Sequence, residues 1–415
     1  MEFITRKTDF LEGSISVDGA KNAALPILAA TMLCKDESTI HGIPKLSDVG
    51  KMNELLEYIG CDVKHKIKTV TVNSGAILKS DAPYELVSAF RASFLIAAPL
   101  LARQGYAKIC LPGGCAIGTR PIDLHLKAFS ALGAKAFSRS GFIELTADKL
   151  TGSKIYLDFP SVGATENAMM AAALATGKTI IENAATEPEI TDLANFINAM
   201  GGDIRGAGTD TITITGVKKL HGAEHTIIPD RIEAGTFMTA VAMTGGKVTI
   251  KNIIPIHVKP VIAKLRESGV EIKEYGDSIQ IFAEKPLKPM DIKTLPFPGF
   301  PTDMQAQFMA LAAKTCGTSL IIETIFENRF MHAGELGRMG ANIKINGRTA
   351  VIEGVNKLSA AKVRATDLRA GAALIIAGLG AEGETIIEDD GHIDRGYDNI
   401  ERKLKKLGAN IERIL

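Results

Sequence analysis

Tryptophan is absent from this 415-residue chain, and aromatic residues make up only 5% of it. Modules that stack bases on aromatic platforms are therefore a poor match. A charge excess is missing too, with 48 Lys and Arg against 47 Asp and Glu. No global field points to nucleic acid or an anionic membrane, so any basic cluster has to be local, which suits a small anionic ligand. The apolar run at 94–102 is too short to span a bilayer, and the opening MEFITRKTDF has no apolar signal core. Five cysteines, an odd number, show no paired spacing. The expectation is a reduced, cytoplasmic protein without membrane or nucleic-acid partners. The glycine run 113–118 lacks the Gly-Lys-Ser/Thr ending of a P-loop. His221 and His225 share metal-like spacing but have no third ligand in view, so no metal and no cofactor is expected.

What the chain does have is repetition. An amphipathic helix, a glycine and a short strand recur around Gly60, Gly133, Gly201, Gly269, Gly340 and Gly408, 68 to 73 residues apart. Each glycine fits the left-handed position that closes a helix. Upstream, a helix of small residues ends near a glycine and runs into a strand, as at 171–177, 240–245 and 310–317. Each unit then reads strand, helix, strand, helix, strand, strand. Unit four is expected to open on a strand at 226–229, with helices at 233–243 and 259–268. The last unit lacks a final strand, because only residues 409–415 follow Gly408. The alternating segment 2–6 is expected to complete it and to leave no unpaired edge there. The predicted fold class is α/β, with six βαβαββ repeats in two domains. One domain is 21–228; the other is 229–415 with 1–20 added. The small-residue helices, those holding Ala23, Ala171, Ala310 and Ala370, are expected inside the sheets, and the ligand in the cleft between the domains.

Departures from a repeat point to the site. Before or at the first helix of each unit stand Lys21-Asn22, Arg91, Ser161-Val-Gly163, Arg231, Asp303 and Asp367-Leu-Arg369. Before or at the second stand Lys45, Arg120, Glu187, Lys259, Arg329 and Arg395. Helix N-termini and arginines converging on one end would make a site for more than one phosphate or carboxylate. A single charged residue at a helix start is as readily explained by capping and solubility; the case rests on recurrence. Cys115 stands apart from the other cysteines. Cys34, Cys61 and Cys316 lie near the ends of apolar helices and Cys110 ends a strand, whereas Cys115 lies among glycines, five residues before Arg120. A nearby cation and helix start favour its thiolate.

Eight segments, taken together along the whole chain, resemble the UDP-N-acetylglucosamine enolpyruvyl transferase (1-carboxyvinyltransferase) family. They are Gly19-Ala-Lys21-Asn22-Ala-Ala-Leu-Pro, Arg91-Ala-Ser, the 111–125 run around Cys115 and Arg120, Ser161-Val-Gly-Ala-Thr-Glu-Asn167, Pro301-Thr-Asp303-Met-Gln, Phe326-Glu-Asn-Arg329-Phe-Met-His332, Thr366-Asp-Leu-Arg369-Ala-Gly and Asp394-Arg395-Gly-Tyr. The resemblance implies an inside-out α/β barrel of two pseudo-threefold domains. It implies transfer of the enolpyruvyl group of phosphoenolpyruvate to the sugar 3′-hydroxyl of UDP-N-acetylglucosamine, by addition and then elimination of phosphate, as the first committed step of peptidoglycan synthesis. Lys21, Asn22, Arg120 and Arg395 would hold phosphoenolpyruvate, with Arg91, Arg329 and Arg369 supporting that charge. Asn22 would also contact the sugar or the intermediate. Asp303 would accept and orient the hydroxyl proton. Pro121, Ile122, Asp123, Leu124, Ser161, Val162, Gly163 and Ile325 would cradle the uridine nucleotide, with Arg91 and Arg120 beside it. Cys115 would sit on a lid, donate a proton or assist product release, and react with fosfomycin. One departure stands out: Asp158-Phe159-Pro160 replaces a segment in which relatives carry Lys near the diphosphate, which leaves more of that charge to Arg120 and helix N-termini. Alternatives are an enolpyruvyl transferase acting on shikimate 3-phosphate, a non-catalytic UDP-sugar-binding paralogue, and an RNA-end-modifying enzyme. The Cys115 segment speaks against the first, the full set of site residues against the second, and neutral charge against the third.

Overall fold

The computed structural model describes residues 1–77, 79–88, 90–111, 122–139, 141–284 and 286–414. The chain forms two compact units. One contains Met1–Asp18 and everything from Pro229 onward; the other lies between Gly19 and Ile228. Six four-stranded sheets share one plan, in which a short strand runs parallel to the next and two antiparallel strands complete the sheet. The six helix-closing glycines stand at φ between +87° and +114°, the left-handed region that a Cβ disfavours.

In the first unit, helices Arg231–Thr244, Gln305–Ala312 and Leu368–Gly380 pack against one another. Nearly every residue in them is buried. Their small residues let neighbouring elements come so close that a single added Cβ would collide. A Cβ on Gly235 would stand 2.9 Å from Met304 Sδ, and one on Gly378 would stand 2.1 Å from Thr5 Oγ1. The larger side chains Leu374, Ile375, Ile376 and Leu379 fill what remains, each worth about 1.5–3 kcal/mol of apolar burial. In the second unit, helix Lys21–Ala30 meets the 3₁₀ turn Arg91–Ile96. That turn continues into helix Ala97–Gln104, which packs on helix Val162–Ala173. The other helices, such as Ser47–Ile59 and Lys259–Glu267, are amphipathic and half exposed.

Two strand placements differ from the sequence expectation. Glu2–Arg6 does join the last sheet, but inside it, antiparallel to both Glu384–Glu388 and Ile411–Ile414; the latter forms the edge. The segment expected to open unit four pairs elsewhere. Glu224–Thr226 runs parallel to Glu37–His41 in the second unit, while Leu11–Ser16 runs parallel to Gly246–Lys251 in the first. Alternation marks a strand but not its partner, and near the crossings between units a strand's neighbour in space is far away in sequence. Among the described residues no helix is long and apolar enough to cross a membrane.

Candidate functional site

In the first unit the short turn Thr302–Met304 presents Asp303 to two arginines. Arg329 Nη2 donates to Asp303 Oδ1 at 2.7 Å, and Arg369 Nη2 donates to Oδ2 at 3.0 Å. Both arginine side chains are under 5% exposed, whereas the Asp303 side chain is 26% exposed. Burial alone would raise the Asp303 pKa, but Arg369 and Arg329 outweigh it and hold the carboxyl well below the usual carboxylate range. The clamp is supported from behind. Arg329 Nη1 donates to Thr302 Oγ1 at 3.0 Å, and Thr302 donates to Glu323 Oε2 at 2.9 Å. The buried Glu323 also accepts from the backbone N–H of Ile325 at 2.9 Å and so fixes that residue's position.

Arg369 is the second residue of its helix. Asp367 caps the helix, accepting from the N–H groups of Arg369 and Ala370 at 2.8 and 3.1 Å. The guanidinium lies over the Tyr397 ring, 5.4 Å from its centroid. Burial works against its charge, but Tyr397, Asp303 and Asp230 outweigh that and keep it protonated. Its Nε and Nη1 are buried with no hydrogen-bond partner among the described residues. Tyr397 is buried and its hydroxyl sits 2.9 Å from Thr236 Oγ1 and 3.2 Å from Gln307 Nε2. Arg395 lies two residues earlier, at the end of the turn Ile393–Arg395. The space a Cβ on Gly396 would take lies 3.4 Å from Arg369 Nη1, so Arg395's neighbour in the chain touches the clamp.

In the second unit, Lys21 opens its helix nearly buried, and its Nζ pairs with the buried Asp48 Oδ2 at 2.7 Å. Asn22 follows, partly exposed, and Arg91 opens its 3₁₀ turn. Ile122 precedes helix Asp123–Ala131, so Asp123 and Leu124 form its first turn. Ser161 caps helix Val162–Ala173, its Oγ accepting from Ala164 N–H at 3.4 Å. These two helix starts meet through His125, whose ring lies against Gly163: a Cβ on Gly163 would stand 3.1 Å from His125 Cε1. Cys115, Arg120 and Pro121 lie outside the described residues.

Sequence reasoning passed over three groups here. Lys127, one turn after Asp123, donates to Asp158 Oδ2 at 2.7 Å, so a lysine does stand by the 158–160 segment, supplied from another helix. A lysine on the same helix face as Asp123 is the signal that could have found it. His125 and Asn167 lie at the ends of two of the family segments, and the resemblance assigns them no role. An Asn in a helix otherwise made of Ala and Met is the sign of a buried polar partner. His221 bonds the Gly222 carbonyl and His225 bonds Asp192, which accounts for both spaced histidines.

A family model described as EPSP synthase (3-phosphoshikimate 1-carboxyvinyltransferase) matches residues 5–404. The chain is similar to UDP-N-acetylglucosamine 1-carboxyvinyltransferase 1 of Caldanaerobacter subterraneus subsp. tengcongensis, at 59% identity over 414 residues and 99% of each chain. It is 57% identical to UDP-N-acetylglucosamine 1-carboxyvinyltransferase 2 of Carboxydothermus hydrogenoformans, over 100% of this chain and 99% of that one. Among solved structures it is similar to the enolpyruvyl transferase NikO from Streptomyces tendae, with TM-score 0.89, 25% identity, and 99% and 98% of the two chains covered. An EPSP synthase from Acinetobacter baumannii shares the fold at TM-score 0.77 and 18% identity, with 99% of each chain covered. With full-length relatives well above half identity and a family model spanning nearly every residue, the chain belongs to the enolpyruvyl (1-carboxyvinyl) transferase family.

Proposed function

We propose that this chain transfers the enolpyruvyl group of phosphoenolpyruvate to the 3′-hydroxyl of UDP-N-acetylglucosamine and releases phosphate. The observation that carries the reading is the 57–59% identity over full length to relatives named for that substrate. Similarity to the EPSP synthase structure is only 18% and speaks for the fold alone. The reaction would serve peptidoglycan synthesis in the cytoplasm. Each unit, with three of the six sheets around its buried helices, is read as an inside-out barrel of three repeats.

Addition begins with a proton delivered to the methylene carbon of phosphoenolpyruvate. C2 becomes cation-like and takes the sugar oxygen, whose proton goes to a base. Elimination then removes a methyl proton, and the C2–O bond to phosphate breaks. Three needs follow: cations on a phosphate and a carboxylate, a base near the hydroxyl, and an acid near the methylene carbon. Lys21, Asn22, Arg120 and Arg395 are assigned to the phosphoenolpyruvate anions, with Arg91, Arg329 and Arg369 supporting. The buried unpartnered Nε and Nη1 of Arg369 favour this, since such donors cost about 1–3 kcal/mol until an acceptor arrives.

Asp303 is assigned to the sugar hydroxyl. Held by two arginines, it is a strong acceptor but a weak base. Its basicity rises as Arg329 and Arg369 turn toward ligand anions, which couples proton acceptance to a filled site. Cys115 is assigned as a lid residue that donates a proton or assists release. The charge of phosphoenolpyruvate would raise its pKa and restore the thiol. Ile122, Asp123, Leu124, Ser161, Val162, Gly163 and Ile325, with Pro121, are assigned to the nucleotide.

Phosphate release from phosphoenolpyruvate tests the reading, with UDP-N-acetylglucosamine and shikimate 3-phosphate as rival acceptors. Release with the first alone, lost in Cys115→Ala and Asp303→Ala and blocked by fosfomycin, is expected. Release with shikimate 3-phosphate alone would transfer the chain to the other branch of the family, and release with neither would leave a binding paralogue.

A further inference from the structure

His125 is partly buried where three elements meet. Phe94, from the turn that Arg91 opens, packs edge-on against its ring with centroids 5.1 Å apart. Asn167, from helix Val162–Ala173, places Nδ2 at 2.8 Å from His125 Nδ1 and at 3.3 Å from the Phe94 carbonyl oxygen. The second bond fixes the first. A carbonyl only accepts, so the Asn167 amide must turn its NH₂ toward Phe94, and the same NH₂ then faces His125. Nδ1 of His125 is left no role but acceptor, which places the ring proton on Nε2. The surroundings agree: burial, with Arg91 nearby, pushes the imidazole pKa down to about 4. Nε2 has no hydrogen-bond partner among the described residues and keeps some exposed surface. It lies beside Gly163, 3.4 Å from where a Cβ would stand. The absent side chain leaves that N–H uncovered at the Ser161–Gly163 turn.

We propose that His125 is a substrate-binding residue, a neutral imidazole fixed by Asn167 as its Nε2–H tautomer, which gives one uncharged donor to an acceptor oxygen of the nucleotide. The proposal rests on the assignment of the Ser161–Gly163 turn to UDP-N-acetylglucosamine. The chemistry suits the place. Among the described residues Arg91 is a charged group that the ring feels, and a further cation beside it would be costly to desolvate, whereas a locked neutral donor selects for oxygen at every working pH. Asn167 is then a positioning residue acting through the ring, and Gly163 is the clearance that lets the donor reach its acceptor.

Two measurements decide it. In steady-state kinetics, His125→Phe keeps the ring and its packing but loses both nitrogens. The KM for UDP-N-acetylglucosamine is expected to rise about fivefold to tenfold, the loss of one neutral hydrogen bond, with kcat and the KM for phosphoenolpyruvate within about twofold. A KM within about twofold of wild type in a protein of unchanged melting temperature overturns the proposal. In the intact wild-type chain, ¹⁵N–¹H correlation of the histidine rings is expected to show His125 as the Nε2–H tautomer from about pH 6 to 8, with its Nε2–H resonance shifting on addition of UDP-N-acetylglucosamine alone. An Nδ1–H tautomer, or a resonance that ignores the ligand, also overturns it. The spectrum needs no turnover, so an inactive wild type would count against the functional assignment, whereas an active one with an indifferent His125 would count against this proposal alone.

Discussion

Gly371→Ala tests whether the close packing of the inner helices is what places Arg395. Gly371 lies in the first turn of helix Leu368–Gly380, where a Cβ would stand 2.5 Å from Ile393 Cγ1, 2.9 Å from its Cδ1 and 3.2 Å from Ala365 Cβ. Carbon pairs rest at about 3.5–4.0 Å, so about 1 Å must open. Ile393 is fully buried and begins the turn that ends at Arg395, so it has little room to yield except by carrying that turn outward. The helix gains about 1 kcal/mol from replacing Gly with Ala. Overpacking costs about 1–3 kcal/mol. The net loss of about 0–2 kcal/mol corresponds to a melting temperature lower by no more than about 8 °C for a unit of this size. Activity should suffer more under the proposed assignment of Arg395 to the phosphoenolpyruvate anions, because displacing such a group by about 1 Å can cost up to about 100-fold. Thermal melts and phosphate-release kinetics on the same preparation separate the two. The expected result is kcat/KM for phosphoenolpyruvate down about 10- to 100-fold, with the KM for UDP-N-acetylglucosamine near wild type. A kcat/KM within about twofold would show that Ile393 does not transmit the strain. A melting temperature lower by far more than about 8 °C would show that the unit breaks instead of shifting.

Asp303→Asn removes the charge that two nearly buried guanidinium groups share. It should lower stability by about 2–4 kcal/mol, the roughly 3–5 kcal/mol of a buried pair reduced because the carboxylate is partly exposed, as read by denaturant unfolding. Because the folded pKa of Asp303 is depressed, its contribution is present above the unfolded value of about 4 and lost as pH falls through the folded one. Wild-type stability should therefore show an acid limb below about pH 4 that is shallower in Asp303→Asn. Tyr397→Phe strips the hydroxyl from Thr236 and Gln307 and should cost about 1–3 kcal/mol by leaving buried groups unsatisfied, while chemical denaturation remains a single transition for that unit. Burial pushes the Cys34, Cys61 and Cys110 thiols up, and Cys316 is the exposed one of the four. Labelling of folded Cys115→Ala should therefore show one fast thiol; more than one would contradict the burial.

What could be read from sequence depended on whether the signal was local. The six closing glycines announce themselves because a left-handed residue at a helix end leaves glycine as the easy choice, and all six adopt that conformation. The runs of Ala and Gly in the inner helices mark themselves as buried because small side chains allow the close approach that an inner helix needs. Strand partners were a different matter: Leu11–Ser16 meets Gly246–Lys251 across more than two hundred residues, and no local pattern encodes that pairing. The site divides in the same way. Asp303, Arg329 and Arg369 could each be named from a motif, but the clamp joins residues 26 and 66 positions apart, and only the fold shows that the carboxylate is held ionised. The tautomer of His125 was out of reach, since it depends on a carbonyl of Phe94 that no sequence rule connects to Asn167.

The positions of the charges argue for a ligand on electrostatic grounds alone. Lys21 is the first residue of its helix, Arg231 the first of another and Arg369 the second of a third. The partial charge of a helix N-terminus is positive, so a cation there has the wrong sign, unfavourable by about 0.3–1 kcal/mol each and more when partly buried. Acidic caps and partners offset part of this: Asp48 beside Lys21, Asp230 as the cap before Arg231, Asp367 and Asp303 at Arg369. A fold selected for stability alone would place the acids at the helix starts and leave the cations out. Keeping cations at these starts, two of them in an ion pair with a carboxylate, makes sense if an anion takes over part of the restraint during the reaction. Phosphoenolpyruvate, with a phosphate and a carboxylate on one small frame, is the kind of ligand that would do so. The same reasoning gives an observable consequence, because a multiply charged anion that pairs with any one of these cations should raise the melting temperature of the wild type in a salt-dependent way. It should do so far less in Lys21→Ala, in which the first of these cations is gone.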